Sequence, residues 1–344
     1  MHSSRPKPLH RLCGRPMVRY VLDALVEVEP VVTVVVVGHE ATWVEKEISE
    51  HAERSRLLFA YQEEQAGTGH AVGVALAALA ERGVGDGDVV IMPGDAPLVR
   101  AATVRELLSR HRDADAALTV LSARIEDPSG YGRVVRNREG APVRIVEERD
   151  ADPGERAIDE VNTSMMVVRS ELLGPALRRV GRRNAQHQYY LSDLVDVLHG
   201  AGHVTRAVLL DDPGEASGVN DRRQLAAAEV ELRRRINERW MARGVTMWDP
   251  ARTYVDADVD LAADVSLLPG TILRGRCVVG RGATVGPDAV LRRVVVGENA
   301  RVANVVATDA RVGADARVGP YVVLEPGVVI PASQVVAPFE HRFS

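Results

Sequence analysis

Apolar positions change their spacing along this chain, and each change marks a different kind of structure. From Val18 to Val28 they recur at helical spacing, and from Val31 to Val37 they fuse into a nearly unbroken aliphatic run closed by Gly38, the pattern of a buried strand. Ala71 to Ala80 reads as a helix of small residues, and Asp88 to Met92 as a second buried strand leading into Gly94-Asp95. Strands alternating with helices predict an α/β domain with a mainly parallel sheet. Such sheets bind ligands at the carboxyl ends of their strands, which is where Gly94 and Asp95 fall.

The stretch from Arg222 to Arg243 contains neither Gly nor Pro, sets Leu225, Val230, Leu232, Ile236 and Trp240 in a rough apolar stripe, and stops at Gly244. It predicts one long connecting helix. Beyond Tyr254 aliphatic residues recur every six positions, at Val255, Leu261, Leu267, Leu273, Val279, Val285 and Leu291. The register slips through Val296 and Val302 and returns at Val312, Val318, Leu324 and Ile330. A β-sandwich would show period two. Period six predicts a parallel β-helix, in which each hexapeptide forms one flat side of a triangular coil, with its aliphatic residue inward and Gly or Asp at the corners.

Composition narrows the function without naming it. The 344 residues, 46% of them hydrophobic, can fill two cores. A net charge of -5 leaves no basic excess for a phosphate backbone, and no basic residues interleave with aromatics, so nucleic acid is not an expected partner. Cys13 and Cys277 match no metal or redox spacing and fit a reducing compartment, so the expected location is cytoplasmic. The longest purely aliphatic stretch, Val34 to Val37, is too short to cross a bilayer, and the polar N-terminus has no apolar signal core. Neither a membrane nor a secretory route is expected. No Gly-x-Ser-x-Gly elbow or Walker A sequence occurs, which disfavours hydrolase and P-loop chemistry. The ten histidines have no metal-ligand spacing, and none is assigned a catalytic role.

The segment richest in candidate chemistry is the polar, glycine-rich run from Gln62 to Ala71, with Gly67 and Gly69 flanking Thr68 and His70 following. Glycines allow a ligand close to the backbone, and amides at a helix start suit anionic or carbonyl groups. A tight loop before a helix would read the same way. Further segments break the tie: Gly94-Asp95, Gly130-Tyr131-Gly132-Arg133, Glu160-Val161-Asn162-Thr163, the run from Asn184 to Asp193, and Gly218-Val219-Asn220. Taken in order with the Gln62 loop, they resemble the pyrophosphorylase domain of the bacterial bifunctional UDP-N-acetylglucosamine pyrophosphorylase and glucosamine-1-phosphate acetyltransferase family. The resemblance covers residues 1–254 and includes the junction from Thr246 to Arg252.

That resemblance implies a Rossmann-like nucleotidyltransferase domain over residues 1–221, a connecting helix and linker over 222–249, and a short left-handed parallel β-helix over 250–344. It implies that the phosphate of N-acetylglucosamine 1-phosphate attacks the α-phosphorus of UTP, giving UDP-N-acetylglucosamine, a peptidoglycan precursor, and pyrophosphate. Asp95 and Asn220 would bind Mg²⁺, an oxygen-only site suited to a hard cation. Asp95 as a solvated turn carboxylate and Asn220 as a helix N-cap are the plainer alternatives. Lys7 matches the family's phosphate-contacting lysine, so Lys7 and Asp95 are the expected catalytic residues. Gln62 and Gly67 would read the uracil edge. Gly132, Glu147 and Asn162 correspond to sugar-binding positions, with Thr68, Tyr190 and Ser192 lining the sugar side. The β-helix implies a homo-oligomer, commonly trimeric.

The chain also departs from the family. The family's loop Leu-Ala-Ala-Gly-x-Gly-Thr-Arg-Met precedes the residue matching Lys7, whereas Met1 falls on its final methionine. The expectation is a start placed too late in the gene; a true start at Met1 would predict a weakened enzyme or a sugar-nucleotide binder or scaffold. The family's acetyltransferase section has no counterpart before Ser344, so acetyl transfer is not expected. Pro93, Ser164 and the pair His187-Gln188 are further substitutions, and they leave another sugar 1-phosphate, or dTTP, as alternative substrates.

Overall fold

The apolar runs form strands and the amphipathic runs form helices in the computed structural model, which describes residues 1, 3–38, 41–49 and 56–344. The chain divides into two units, one of residues 1–10 and 17–224, the other of residues 11–16 and 225–344.

In the first unit, the helix Met17–Val26 buries Val18, Val21 and Leu22, and the strand Thr33–Val37 pairs in parallel with Leu57–Tyr61. The helix Thr68–Glu81 begins at the glycine-rich loop, three residues before the expected Ala71. A six-stranded sheet carries the rest. Thr205–Leu209 pairs in parallel with Leu118–Arg124, and the long strand Glu160–Arg169 runs antiparallel to Leu118–Arg124, Asp88–Ile91 and Arg133–Arg136. The sheet is therefore mixed, because a run such as Val89-Val90-Ile91 records burial on both faces but not strand direction. Its central residues, including Leu118, Val120, Met166 and Val168, are 0 to 1% exposed.

Opposite Leu121, between the pairs Val120–Met166 and Ser122–Asn162, the register of Glu160–Arg169 breaks. The extra residues are held locally: Thr163 Oγ1 donates to the Leu121 carbonyl at 2.8 Å, and Ser164 sits at φ +61. A bulge bends a strand and re-aims its side chains, and this one lies beside Asn162.

The long helix runs Arg222–Met241, from Leu225 onward in the second unit, and buries Ala228, Leu232, Ile236 and Trp240. These lie four residues apart on one stripe; Val230, expected on it, is 53% exposed. Asn237 Nδ2 donates to the carbonyls of Pro250 and Thr253, both at 2.9 Å, which fastens the helix to the segment leading into the repeats.

The repeats fold into three parallel sheets of six, six and five short strands, a solenoid of about five turns consistent with a left-handed β-helix of hexapeptide repeats. Leu261 stacks on Val279, then Val296, Val312 and Ile330, so the coil shortens from eighteen residues to seventeen and sixteen before returning to eighteen. That shortening is the slip read in the sequence. All of these inward residues are at most 5% exposed, and burying each contributes about 1.5–3 kcal/mol. Corners at Asp264, Asn299 and Asp315 adopt positive φ, a conformation that Asp and Asn tolerate better than branched residues. Among the described residues, no helix is long and apolar enough to cross a membrane.

Candidate active site

Three residues from distant parts of the first unit meet at one point. Lys7, in the short 3₁₀ turn Lys7–Leu9, forms an ion pair with Asp95, and its Nζ donates to Asn220 Oδ1 at 2.5 Å. Asp95 follows the strand Asp88–Ile91, and its backbone carbonyl accepts from Val219 N at 2.9 Å, which docks the Gly218-Val219-Asn220 loop beside it. Gly218 lies close by, since a Cβ built on it would stand 3.9 Å from Asp95 Oδ1. Tyr131 completes this corner: its hydroxyl meets the Gly218 backbone near Asp95, and burial raises its pKa.

Asn220 is free for this role because Asp221 caps the long helix. The Asp221 carboxylate accepts from the amides of Arg223 and Gln224, both at 2.8 Å, and Gln224 Oε1 accepts in return from Asp221 N at 3.2 Å and also from Asn220 N at 2.6 Å. This is a capping box in which glutamine returns the bond. The N-cap reading of Asn220 thus falls one residue short, and its side chain turns to Lys7 instead.

The glycine-rich loop is laced to the run preceding Asp193. Tyr189 N donates to the Ala66 carbonyl at 2.9 Å, Gly69 N to the Tyr189 carbonyl at 2.8 Å, and Leu191 N to Thr68 Oγ1 at 3.0 Å. Gly67 sits at φ +114, and a Cβ there would come within 2.6 Å of the Tyr189 carbonyl oxygen; both the conformation and the close approach require glycine. Gln62 Nε2 donates to the Gly67 carbonyl at 3.2 Å and lies 3.1 Å from His70 Nδ1. With Val37, Gly38, Tyr61, Glu63 and Gln65, Gln62 lines a cleft of about 540 Å³.

Beyond Leu191 the same segment supports a third group. Ser192, 4% exposed, donates through Oγ to Glu147 Oε1 at 2.8 Å. A Cβ on Gly132 would stand 3.3 Å from both Glu147 carboxylate oxygens, so glycine leaves that face open. Asn162 N donates to the Gly132 carbonyl at 2.8 Å, and Asn162 Oδ1 accepts from Ser164 N at 3.1 Å, which leaves its amide nitrogen to donate elsewhere. Burial pushes the Glu147 carboxyl above the usual range, against the Ser192 hydrogen bond, and pushes the Tyr190 hydroxyl up to about 12. Asp193 is pushed up to about 6 by burial, with Glu147, Asp196 and Asp150 adding to the shift.

The expected residues thus gather into three groups: Lys7, Asp95 and Asn220; Gln62, Gly67 and Thr68; and Gly132, Glu147 and Asn162, with Tyr190 on the segment that joins the last two. Thr68 is the least like a ligand residue, since its hydroxyl already accepts from Leu191 N. Tyr131, Asp193 and His70 were not singled out as site residues. All three stand inside motifs of the sequence, but the environment of Asp193 arises only when Glu147 and Asp150 are folded beside it.

Comparison with known proteins follows the same lines. Residues 1–185 match the family of MobA-like NTP transferase domains. The chain is 46% identical over 317 residues to the bifunctional protein GlmU of Thermobifida fusca, an alignment covering 91% of this chain and 64% of that protein. It is 41% identical over 339 residues to the GlmU of an Exiguobacterium species, and 42% identical over 340 residues to that of Trichlorobacter lovleyi. Those two alignments each cover 98% of this chain and 73% of the relative.

Proposed function

The chain belongs to the family of the bifunctional GlmU proteins and carries a MobA-like NTP transferase domain, and from that premise we propose that it is a sugar-phosphate uridylyltransferase that joins UTP to N-acetylglucosamine 1-phosphate. The chain spans about 64% of the Thermobifida fusca relative, so the reading is of this chain's own site. The observation that carries it is the convergence of Lys7, Asp95 and Asn220.

In the proposed reaction a phosphate oxygen of the sugar phosphate forms a bond to the α-phosphorus of UTP while the bond from that phosphorus to the bridging oxygen breaks, releasing pyrophosphate. Such displacement needs alignment and charge neutralisation more than covalent help. Lys7 supplies a mobile positive charge for the phosphates. The carboxylate of Asp95 and the amide oxygen of Asn220 already converge on a cation, the Lys7 ammonium, and this oxygen-only pair fits Mg²⁺. Among the described residues no group of three or more His, Cys, Asp or Glu side chains could hold a metal, so water and phosphate oxygens would fill the remaining positions, as is usual for this ion. When bound, Mg²⁺ would neutralise phosphate charge.

Gln62 and the Gly67 backbone would meet the uracil in the cleft. On the sugar side, Glu147 would accept from hydroxyls and Asn162 would donate through its amide nitrogen. The β-helix suits a homo-oligomer, a trimer in this reading, because Val278, Val295 and Val329 stand on one outer face at 42%, 38% and 63% exposure, with Arg311 between the last two. Sedimentation at three times the 37.3 kDa protomer would support the trimer, and sedimentation as a monomer would refute it.

The test of the reading is Asp95→Asn. It keeps the shape of the side chain, so the melting temperature should hold while Mg²⁺-dependent pyrophosphate release falls by about a hundredfold or more. An undiminished rate would remove Asp95 from the chemistry.

A further inference from the structure

Gly67 and His70 together fix which end of the Gln62 amide faces the cleft. A carbonyl oxygen can only accept, so the Gln62 atom 3.2 Å from the Gly67 carbonyl must be the amide nitrogen. That nitrogen has two hydrogens. The second points to His70 Nδ1 at 3.1 Å, which must then accept, so the neutral ring carries its proton on Nε2. With both hydrogens engaged, Gln62 offers a ligand only its oxygen. Neither restraint is loose: Gly67 is held at φ +114 against Tyr189, and His70 lies in the first turn of the helix Thr68–Glu81, which Gly69 ties to the Tyr189 carbonyl.

We propose that His70 is a positioning residue that selects the base, holding the Gln62 amide with its oxygen toward the cleft so that the site takes a pyrimidine that donates at N3. Uracil and thymine carry a hydrogen at N3, whereas cytosine presents a lone pair there and would face the Gln62 oxygen with no proton between. The proposal rests on the uridylyl reading and adds how the base is chosen. It also extends the role of Gln62 beyond a generic amide that can present either end. His70 is not among the residues that line the cleft and acts through Gln62.

The experiment is calorimetric titration of UTP and CTP, with Mg²⁺ present, into the full chain and into His70→Leu and His70→Asn. The unmodified chain should bind UTP more tightly than CTP. Leucine removes the acceptor of the second amide hydrogen and leaves the Gly67 carbonyl as the amide's single restraint, so the ratio of UTP to CTP affinity should fall, by up to about tenfold, the scale of one mismatched buried hydrogen bond. Asparagine places an oxygen near the position of Nδ1 and should restore most of the ratio. A purely structural role would weaken both nucleotides together, and an unchanged ratio in His70→Leu would overturn the proposal while leaving the uridylyl reading intact. No preference for UTP in the unmodified chain would overturn that reading and this proposal with it.

Discussion

Asp193 shows how far a single carboxyl can be moved by its surroundings. Among the described residues none donates a hydrogen bond to its carboxylate, and burial, with like charge from Glu147, Asp196 and Asp150 added, pushes it up to about 6. An acid whose folded pKa lies above its unfolded value destabilises the fold when ionised. Its cost is therefore fully present above pH 6 and disappears as pH falls through the folded pKa toward the unfolded one, near 4. Asp193→Asn should raise stability at pH 7.5 by about 1 kcal/mol, a modest figure because water screens a half-buried charge, and should add little at pH 4. Denaturant unfolding at the two pH values checks this; an equal gain at both would contradict it. Glu160 has the opposite balance. Burial works against its ionisation, but Arg136 and Ser122 outweigh burial and hold the carboxyl below the usual range. Neither residue's state was legible in the sequence, since each depends on partners far away along the chain.

At the scale of elements, the start of the long helix separates structure from chemistry within two adjacent residues. Asp221 accepts two helix amides and Asn220 reaches Lys7. Asp221→Ala should cost about 1 kcal/mol of stability, as the loss of an N-cap does, whereas Asn220→Ala should leave thermal unfolding unchanged and lower the Mg²⁺-dependent rate. Thermal melts paired with rate measurements distinguish the two, and a cap-sized loss from Asn220→Ala would reverse the assignment. Elements differ in how plainly the sequence announces them. The β-helix was legible because each coil demands an inward aliphatic residue, so even its shortened turns left a visible slip between Leu291 and Val312. The strand Glu160–Arg169 was legible only through the motif Glu160-Val161-Asn162-Thr163 at its start, because burial on both faces erases the alternation that would mark it as a strand and give its direction.

Across the whole molecule, the least foreseeable feature is the placement of residues 11–16. The hairpin formed by Arg11–Leu12 and Arg15–Pro16 packs with the second unit. There Cys13 N donates to Glu229 at 2.7 Å, Ala257 N donates to the Cys13 carbonyl at 2.9 Å, and Arg15 pairs with Asp258. No local pattern in six residues records such partners. The three groups of site residues, by contrast, were legible as motifs, and folding supplied what the motifs lacked: the register that sets Ser192 on Glu147, the cap that releases Asn220, and the bond that turns Gln62. In the proposed function these groups serve one reaction, the joining of UTP to N-acetylglucosamine 1-phosphate. Direct detection of UDP-N-acetylglucosamine, after incubating the chain with both substrates and Mg²⁺, tests it. Product and pyrophosphate are expected in equal amounts, dependent on Mg²⁺ and lowered about a hundredfold or more in Asp95→Asn; folded protein that binds UTP yet forms no sugar nucleotide would contradict this reaction.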